Sequence, residues 1–456
     1  HYKFNQIKVK TKFFNSYPAF VYQRSEEIEC LLKVMGKILR IKKRLADSKD
    51  GKTVLANFGY LSLLQIAGYV FPLITMPYLA RVIGAEGLGR IAFAAAVVVW
   101  FQTVADWGFN LTATRDVAQH REDKDKVSLI FSNVLWARCL LALVSGCLLL
   151  ALVAAVPYFR DNAAVILITF LMIPGQILFP DWMFQAIEKM KYTTIFNLLM
   201  KLLFTVAVFI FIRKKEDYLI QPLLSTFGYL ICGIGALYLI LHKWGYTLYR
   251  PQWKEIIKTI KGSTDVFINN IMPNFYNSFS VILLGFFSGA SANGLFDGGN
   301  KFPTIFYQFQ AVLSRAFYPF LARRPDKHNF YAKLNMCFAV IGSTSLAFVS
   351  PWVIRVFLGK EFEHSVIVMQ ILSVSVIFLA LSFTYGTNYL IIHHEEKPLR
   401  NLTFASSILG MCIAIPLVYS FSYVGAALTV FICRGMLGVG SFVLVKFVER
   451  KQQRES

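Results

Sequence analysis

Residues 54–90 read VLANFGYLSLLQIAGYVFPLITMPYLARVIGAEGLGR. From 54 to 80 there is no Lys, Arg, Asp or Glu, a longer apolar run than the ~20 residues a membrane helix needs. Pro72 and Pro77 each remove a backbone donor, so a kink is expected at the prolines. Similar runs recur at about 91–111, 128–155, 163–183, 193–212, 218–241, 264–288, 300–322, 333–357, 365–391, 401–420 and 424–446. Of 456 residues 56% are hydrophobic and only 16% charged, against roughly 25% charged in soluble domains. Mean hydropathy is +0.53. The chain is therefore expected to be an all-α polytopic membrane protein with about 12 transmembrane helices.

The net charge is +21, which in a soluble protein would suggest nucleic acid. Here Lys and Arg crowd the gaps between apolar runs, so nucleic acid is not expected as a partner and membrane lipids are. With the N-terminus inside, inner segments hold 34 basic residues and outer ones nine. That bias puts both termini in the cytoplasm; the outer gap 213–217, with Arg213, Lys214 and Lys215, goes against it. Residues 1–53 form a basic leader with 13 of the basic residues and no signal-peptide pattern. Ile28, Leu31, Leu32, Met35, Ile38, Leu39 and Leu45 fall near helical spacing. They suit a helix on an anionic membrane surface, unless translation begins at Met35 and the preceding residues are foreign to the protein. The seven Cys show no CxxC and no paired spacing, so neither disulfide nor metal is expected.

The glycine-rich segment has an echo. Gly84-Ala85-Glu86-Gly87-Leu88-Gly89 follows the first span, and Gly289-Ala290-Ser291-Ala292-Asn293-Gly294 follows the seventh, 205 residues on. At nearly that offset Glu188-Lys189-Met190-Lys191 aligns with Glu395-Glu396-Lys397. These matches indicate duplication of a six-helix set, giving two pseudo-symmetric lobes about an axis along the membrane normal, with a central cavity between them. The expected divisions are 54–241 and 264–446 for the lobes, 242–263 for a cytoplasmic linker and 447–456 for a cytoplasmic tail.

Charges inside hydrocarbon tend to face a wet cavity or a partner. Span eight places Lys301, Thr304, Gln308 and Arg315 on one helix face. Span seven carries Asn270, Asn274 and Asn277 as a stripe, and span two carries Gln102, Asp106 and Asn110. Arg138, Lys201 and Arg434 stand alone. Together they suggest a partly cationic lumen for an anionic, hydroxyl-rich ligand, although interhelical hydrogen bonding would use the same residue types. Arg138, near a span end, is expected to snorkel to the interface, and Asp106 to pair with a nearby base such as Arg115. No GxxxxGK[ST], GxSxG or HExxH is present, so neither ATP hydrolysis nor an enzyme's usual machinery is indicated.

Leu61-Ser62-Leu63-Leu64-Gln65, Pro72 to Gly84, Gly87-Leu88-Gly89, Asp106-Trp107-Gly108-Phe109, Ala113-Thr114-Arg115-Asp116-Val117-Ala118 and Pro180-Asp181-Trp182-Met183-Phe184-Gln185 resemble the Wzx O-antigen flippase family. These are polysaccharide transporters of the multidrug/oligosaccharidyl-lipid/polysaccharide exporter superfamily. The likeness covers about 54–446 and is strongest to about 195. It implies a flippase in the bacterial cytoplasmic (inner) membrane that carries undecaprenyl-diphosphate-linked oligosaccharide, of O-antigen or capsule/exopolysaccharide type, from inner to outer leaflet by alternating access. It implies no cofactor, a proton or sodium gradient as driving force in at least some members, and the polysaccharide polymerase and chain-length regulator as partners. The expected substrate contacts are Arg81, Arg90, Lys301, Gln308, Arg315, Arg434, Asn270, Asn274 and Asn277, with Asp106 and Arg115 as gate or coupling residues. Two other readings are a cation-coupled drug antiporter of the same superfamily, which would want an acidic lumen, and a membrane enzyme of the polysaccharide pathway.

Overall fold

The computed structural model describes residues 49–455; the basic leader lies outside them, but for its last few residues. Residues 64–455 form one compact unit. The chain is built of helices: α1 (Lys49–Asp106), α2 (Phe109–Gln119), α3 (Lys124–Ala155), α4 (Pro157–Asp161), α5 (Ala163–Phe170), α6 (Met172–Leu178), α7 (Asp181–Ala186), α8 (Met190–Phe211), α9 (Ile220–Tyr238), α10 (Trp253–Gly262), α11 (Thr264–Ile271), α12 (Ser278–Arg323), α13 (His328–Phe357), α14 (Ser365–Leu381) and α15 (Glu396–Glu455). Among the described residues nine helical stretches are long and apolar enough to cross a membrane. Large apolar side chains such as Leu143, Leu148, Phe348 and Tyr419 stand exposed on them, as suits helices whose solvent is lipid. The protein is a multi-pass membrane protein.

Three of the stretches run 57, 60 and 55 residues, near 85 Å at 1.5 Å per residue and about twice a bilayer. Each has a break inside one of its long helices, besides the Trp107–Gly108 turn and residues 272–277, which separate shorter helices of the first two. The first breaks at Gly84 (φ 69°, ψ −176°), the second at Gly289 (φ 81°, ψ −176°) and the third at Ser422 (φ 51°, ψ −131°). Positive φ with ψ near 180° is a conformation that essentially only glycine adopts. Pro72 and Pro77, where a kink was expected, lie within α1, and the residue with non-helical dihedrals is Gly84.

The two glycine breaks share their dihedrals and their place in the repeat. They also touch. A Cβ on Gly89 would lie 1.7 Å from the Ala290 carbonyl oxygen, and one on Gly294 would lie 1.9 Å from that of Ala85. The offset of 205 relates Gly89 to Gly294 and Ala85 to Ala290. Each motif thus packs its glycine on the other's alanine carbonyl. Small residues let the backbones meet directly, as at close helix crossings in membranes.

The connections gather in two sets. In one, Arg121 pairs with Glu188 at 2.9 Å, Lys189 sits 4.0 Å over Trp244, and Thr247 and Tyr249 donate backbone N–H groups to Ser128 and Ser132 of α3. In the other, Arg81 donates to the Val356 carbonyl at 2.8 Å, Ala85 N–H donates to Glu361 at 3.0 Å, and Arg90 lies over Tyr218. The first set joins gaps that the basic-residue count places inside, and the second joins gaps it places outside. The stretch expected as a linker is strapped to α3 by those hydroxyls before it enters α10.

Candidate functional site

A polar cavity of about 220 Å3 lies among α1, α2, α3, α6, α7, α8 and α9. Gln102 and Asp106 come from α1 and Asn110 from α2; Arg138 comes from α3, Gln176 from α6, Asn197 from α8 and Tyr229 from α9, with Asp181 and Trp182 of α7 completing the wall. Asp106 is the last residue of α1, because Trp107 (φ 39°) and Gly108 (φ 78°) turn the chain before α2. A carboxylate at a helix C-terminus faces the negative end of the dipole, so it needs a cation. Arg138 supplies one: its Nη2 donates to Asp106 Oδ1.

This corrects two expectations. Arg138 does not snorkel; it is 7% exposed and directed at Asp106. Arg115 is not the partner of Asp106; it is exposed and bonds its neighbour Asp116 at 2.9 Å. Asp181 Oδ1 accepts from the Trp182 N–H at 2.8 Å, and no cation lies within ion-pair distance of it among the described residues. Two buried donors on the wall, Arg138 Nε and Trp182 Nε1, have no acceptor.

The turn after Asp106 is fixed from the start of the second repeat. The Trp107 ring stacks on Phe267 at 3.9 Å and 3°, and its Nε1 donates to the Ile260 carbonyl. A Cβ on Gly108 would meet Val266 at 2.6 Å. Thr112 and Ser263 share a 2.7 Å hydrogen bond.

The other sequence candidates lie apart from this cavity. Arg81 is occupied by the Val356 carbonyl, Arg90 by Glu86 at 2.9 Å and Lys301 by Asp297 at 2.9 Å. Gln308 is half-buried and Asn270 exposed. Asn274 donates to Thr103 at 3.1 Å, bridging the repeats, and Asn277 donates to Pro273 of its own turn. Arg315 is exposed and turned back on the Ala311 carbonyl. Arg434 is 9% exposed and donates to the Ser375 hydroxyl at 2.9 Å, with Tyr276, Tyr307 and Cys433 around it. Neither Arg315 nor Arg434 has a carboxylate partner among the described residues. Residue patterns pointed to the Gln102, Asp106 and Asn110 stripe; they missed that Gln176, Asp181, Asn197 and Tyr229 close around it. Asp181 did stand in a motif already singled out, Pro180 to Gln185.

Residues 54–325 match the family described as polysaccharide biosynthesis protein. Two relatives bear the name "Putative O-antigen transporter". One, from Escherichia coli (strain K12), is 28% identical over 82% of this chain and 92% of its own. The other, from Shigella dysenteriae, is 27% identical over 82% and 95%. Among solved structures, the lipid II flippase MurJ in an inward closed conformation matches with a TM-score of 0.66 at 13% identity over 86% of this chain and 87% of its own. An inward-facing multidrug resistance transporter of the MATE family matches with 0.64 at 13% over 88% and 99%. These two share the fold.

Proposed function

Since the chain belongs to the polysaccharide biosynthesis protein family, we propose that it is a flippase, not an enzyme, carrying undecaprenyl-diphosphate-linked oligosaccharide repeat units from the inner to the outer leaflet of a bacterial cytoplasmic membrane. The observation that carries this reading is Arg434, buried among membrane helices with a single hydroxyl partner. A guanidinium in that setting calls for an anion, and a diphosphate supplies one through charge-assisted hydrogen bonds. Arg315 on α12 is the second cation without a carboxylate. Each broken helix counts as two crossings, which makes twelve. The repeats rock about the Gly89 and Gly294 junction, so that the lumen opens to each side in turn. The names of the two O-antigen relatives support the substrate class, and an ion gradient is the energy source in this reading.

The test is genetic and chemical together. The gene is deleted in its host and restored as wild type, R434M or R315A/R434M, and surface polymer is measured with the leaflet location of lipid-linked repeats. The expected result is single repeats trapped on the inner leaflet in the deletion strain and in both variants. Full rescue by R315A/R434M rejects the cationic lumen; normal polymer in the deletion strain rejects the flippase and favours the drug antiporter.

A further inference from the structure

We propose that α10 and the segment leading into it form a binding surface for anionic phospholipid headgroups, on the face of the membrane that the basic-residue count places inside. The inference is independent of the activity proposed above.

The straps to α3 set the depth of this segment. At 32 residues α3 is about 48 Å long, well beyond the ~30 Å of a hydrocarbon core, and Lys124 and Lys126 mark its end in water. From that end residues 246–249 follow α3 toward the bilayer. Lys124 lies over the Tyr246 ring, Thr247 and Tyr249 donate N–H groups to Ser128 and Ser132, and Trp136 Nε1 donates to the Tyr249 carbonyl at 3.0 Å. Lys124 to Ser132 is about 12 Å of helix, which carries Tyr249 from water to the level of the headgroups. There Leu248, Tyr249 and Trp253 are 41%, 38% and 62% exposed. Large apolar and aromatic groups left open at that depth suit the membrane interface, where Trp and Tyr gather.

The ten residues of α10 then divide their surface. Ile256 is buried and Ile260 half-buried against the protein. Lys254, Lys258 and Lys261, spaced by four and three, form an exposed stripe on another face, and exposed Arg250 stands just before the helix. Trp253 and Ile257 lie along the border between the two faces. Glu255 is the one acid on α10, and it reaches Lys258 at 3.9 Å. Among the described residues no carboxylate lies within ion-pair distance of Arg250, Lys254 or Lys261. Cations without carboxylates beside an exposed indole, at headgroup level, complement a lipid phosphodiester: the cations face its charge, and the indole packs beneath it. A soluble protein would reach this face only by displacing headgroups from Trp253. The helix is also tied inward, because Trp107 Nε1 donates to the Ile260 carbonyl at 3.1 Å. A lipid-held α10 therefore steadies the turn after Asp106.

The full chain is placed in nanodiscs of phosphatidylcholine with a minor share of phosphatidylglycerol. An equal amount of one lipid or the other carries bromine on its acyl chains, and the difference in tryptophan quenching between wild type and W253F reports Trp253. Brominated phosphatidylglycerol should quench Trp253 at least ~5-fold more than brominated phosphatidylcholine, the effect of a single cation near an anionic surface. The preference should shrink at 1 M salt, where screening acts within ~3 Å. R250Q/K254Q/K261Q, altered only at exposed positions, should lose the preference while both lipids still quench Trp253. Equal quenching by the two lipids in wild type, no quenching of Trp253 by either, or a preference retained in the triple variant overturns the proposal. Loss of the preference on adding inorganic pyrophosphate at constant ionic strength assigns these cations to a diphosphate and overturns it as well.

Discussion

Gly89→Ala adds one carbon at the junction of the repeats. Its Cβ would lie 1.7 Å from the Ala290 carbonyl oxygen. Contacts below 3.0 Å are essentially never seen for real Cβ atoms, so the two backbones must part by at least 1.3 Å. The obstacle is main chain, and no rotamer can turn aside. Overpacking costs about 1–3 kcal/mol, and this contact belongs at the top of that range. At ~3 kcal/mol the folded population falls roughly a hundredfold relative to unfolded. Gly294→Ala meets the Ala85 carbonyl at 1.9 Å and should cost about the same. A single separation relieves both clashes. The double variant should therefore cost ~3 kcal/mol rather than ~6, a coupling far outside the scatter of independent sites. Gly262→Ala, where nothing lies within 4 Å, is the control and should stay within about 0.5 kcal/mol of wild type. Reversible unfolding in mixed micelles gives the stabilities. Additive losses at Gly89 and Gly294 would refute a shared junction, and a silent Gly89→Ala would refute the contact itself.

Breaking the Asp106–Arg138 pair from one side should destabilise the protein. Asp106 is 38% exposed at its side chain, so the loss for R138M should be nearer ~2 than the 3–5 kcal/mol of a fully buried pair; D106N/R138M should recover part of it in the same unfolding assay. Asp123 caps α3 by accepting the Lys126 N–H at 3.1 Å, and that bond holds its carboxyl below the ordinary aspartate value. Its contribution to the first turn of α3 is present above the ordinary aspartate range and is lost as pH falls through the lowered value. Amide exchange at Lys126 and Val127 should rise in D123A at neutral pH, and in the wild type only in acid. Gly84→Ala forces a Cβ into positive φ beside Glu361 at 3.0 Å and should cost about 1–3 kcal/mol, with a loss of surface polymer on complementation.

Hydropathy made the spans legible because a bilayer demands length and apolarity of every crossing, whatever packs against it. The glycine-rich segments were legible because the backbone conformation at Gly84 and Gly289 excludes almost every other residue. The partner of Arg138 was not legible. Arg138 and Asp106 lie 32 residues apart, on different helices, and only the packing of α3 beside the end of α1 brings them together. Lys301, Arg90 and Arg81 look alike to a reader of charge, yet the fold gives each a local acceptor: Asp297, Glu86 and the Val356 carbonyl. Composition counts cations; it does not tell which of them the chain has already neutralised.

Positions related by the offset of 205 differ in the chemistry they carry. At the offset of 205, Asp106, Arg138 and Asn110 of the first repeat correspond to Ala311, Ser343 and Arg315 of the second, and Tyr229 corresponds to Arg434. The second half therefore cannot form the same carboxylate pair around one guanidinium, and it holds Arg315 and Arg434, two of the three candidate cations that lack a carboxylate partner among the described residues, the third being Arg81, whose acceptor is the Val356 carbonyl. A cavity with two carboxyl groups around one guanidinium and a cationic surface suited to a diphosphate would neutralise each other if they shared one site. Placed in separate repeats, they can influence each other only through contacts between the repeats. Those contacts include the Gly89–Gly294 junction, the Trp107–Phe267 stack, the Asn274–Thr103 hydrogen bond and the bonds of Arg81 and Ala85 to Val356 and Glu361. Movement of one half against the other must therefore strain these contacts. On the proposed function, substitutions at them should impair lipid flipping measured in proteoliposomes.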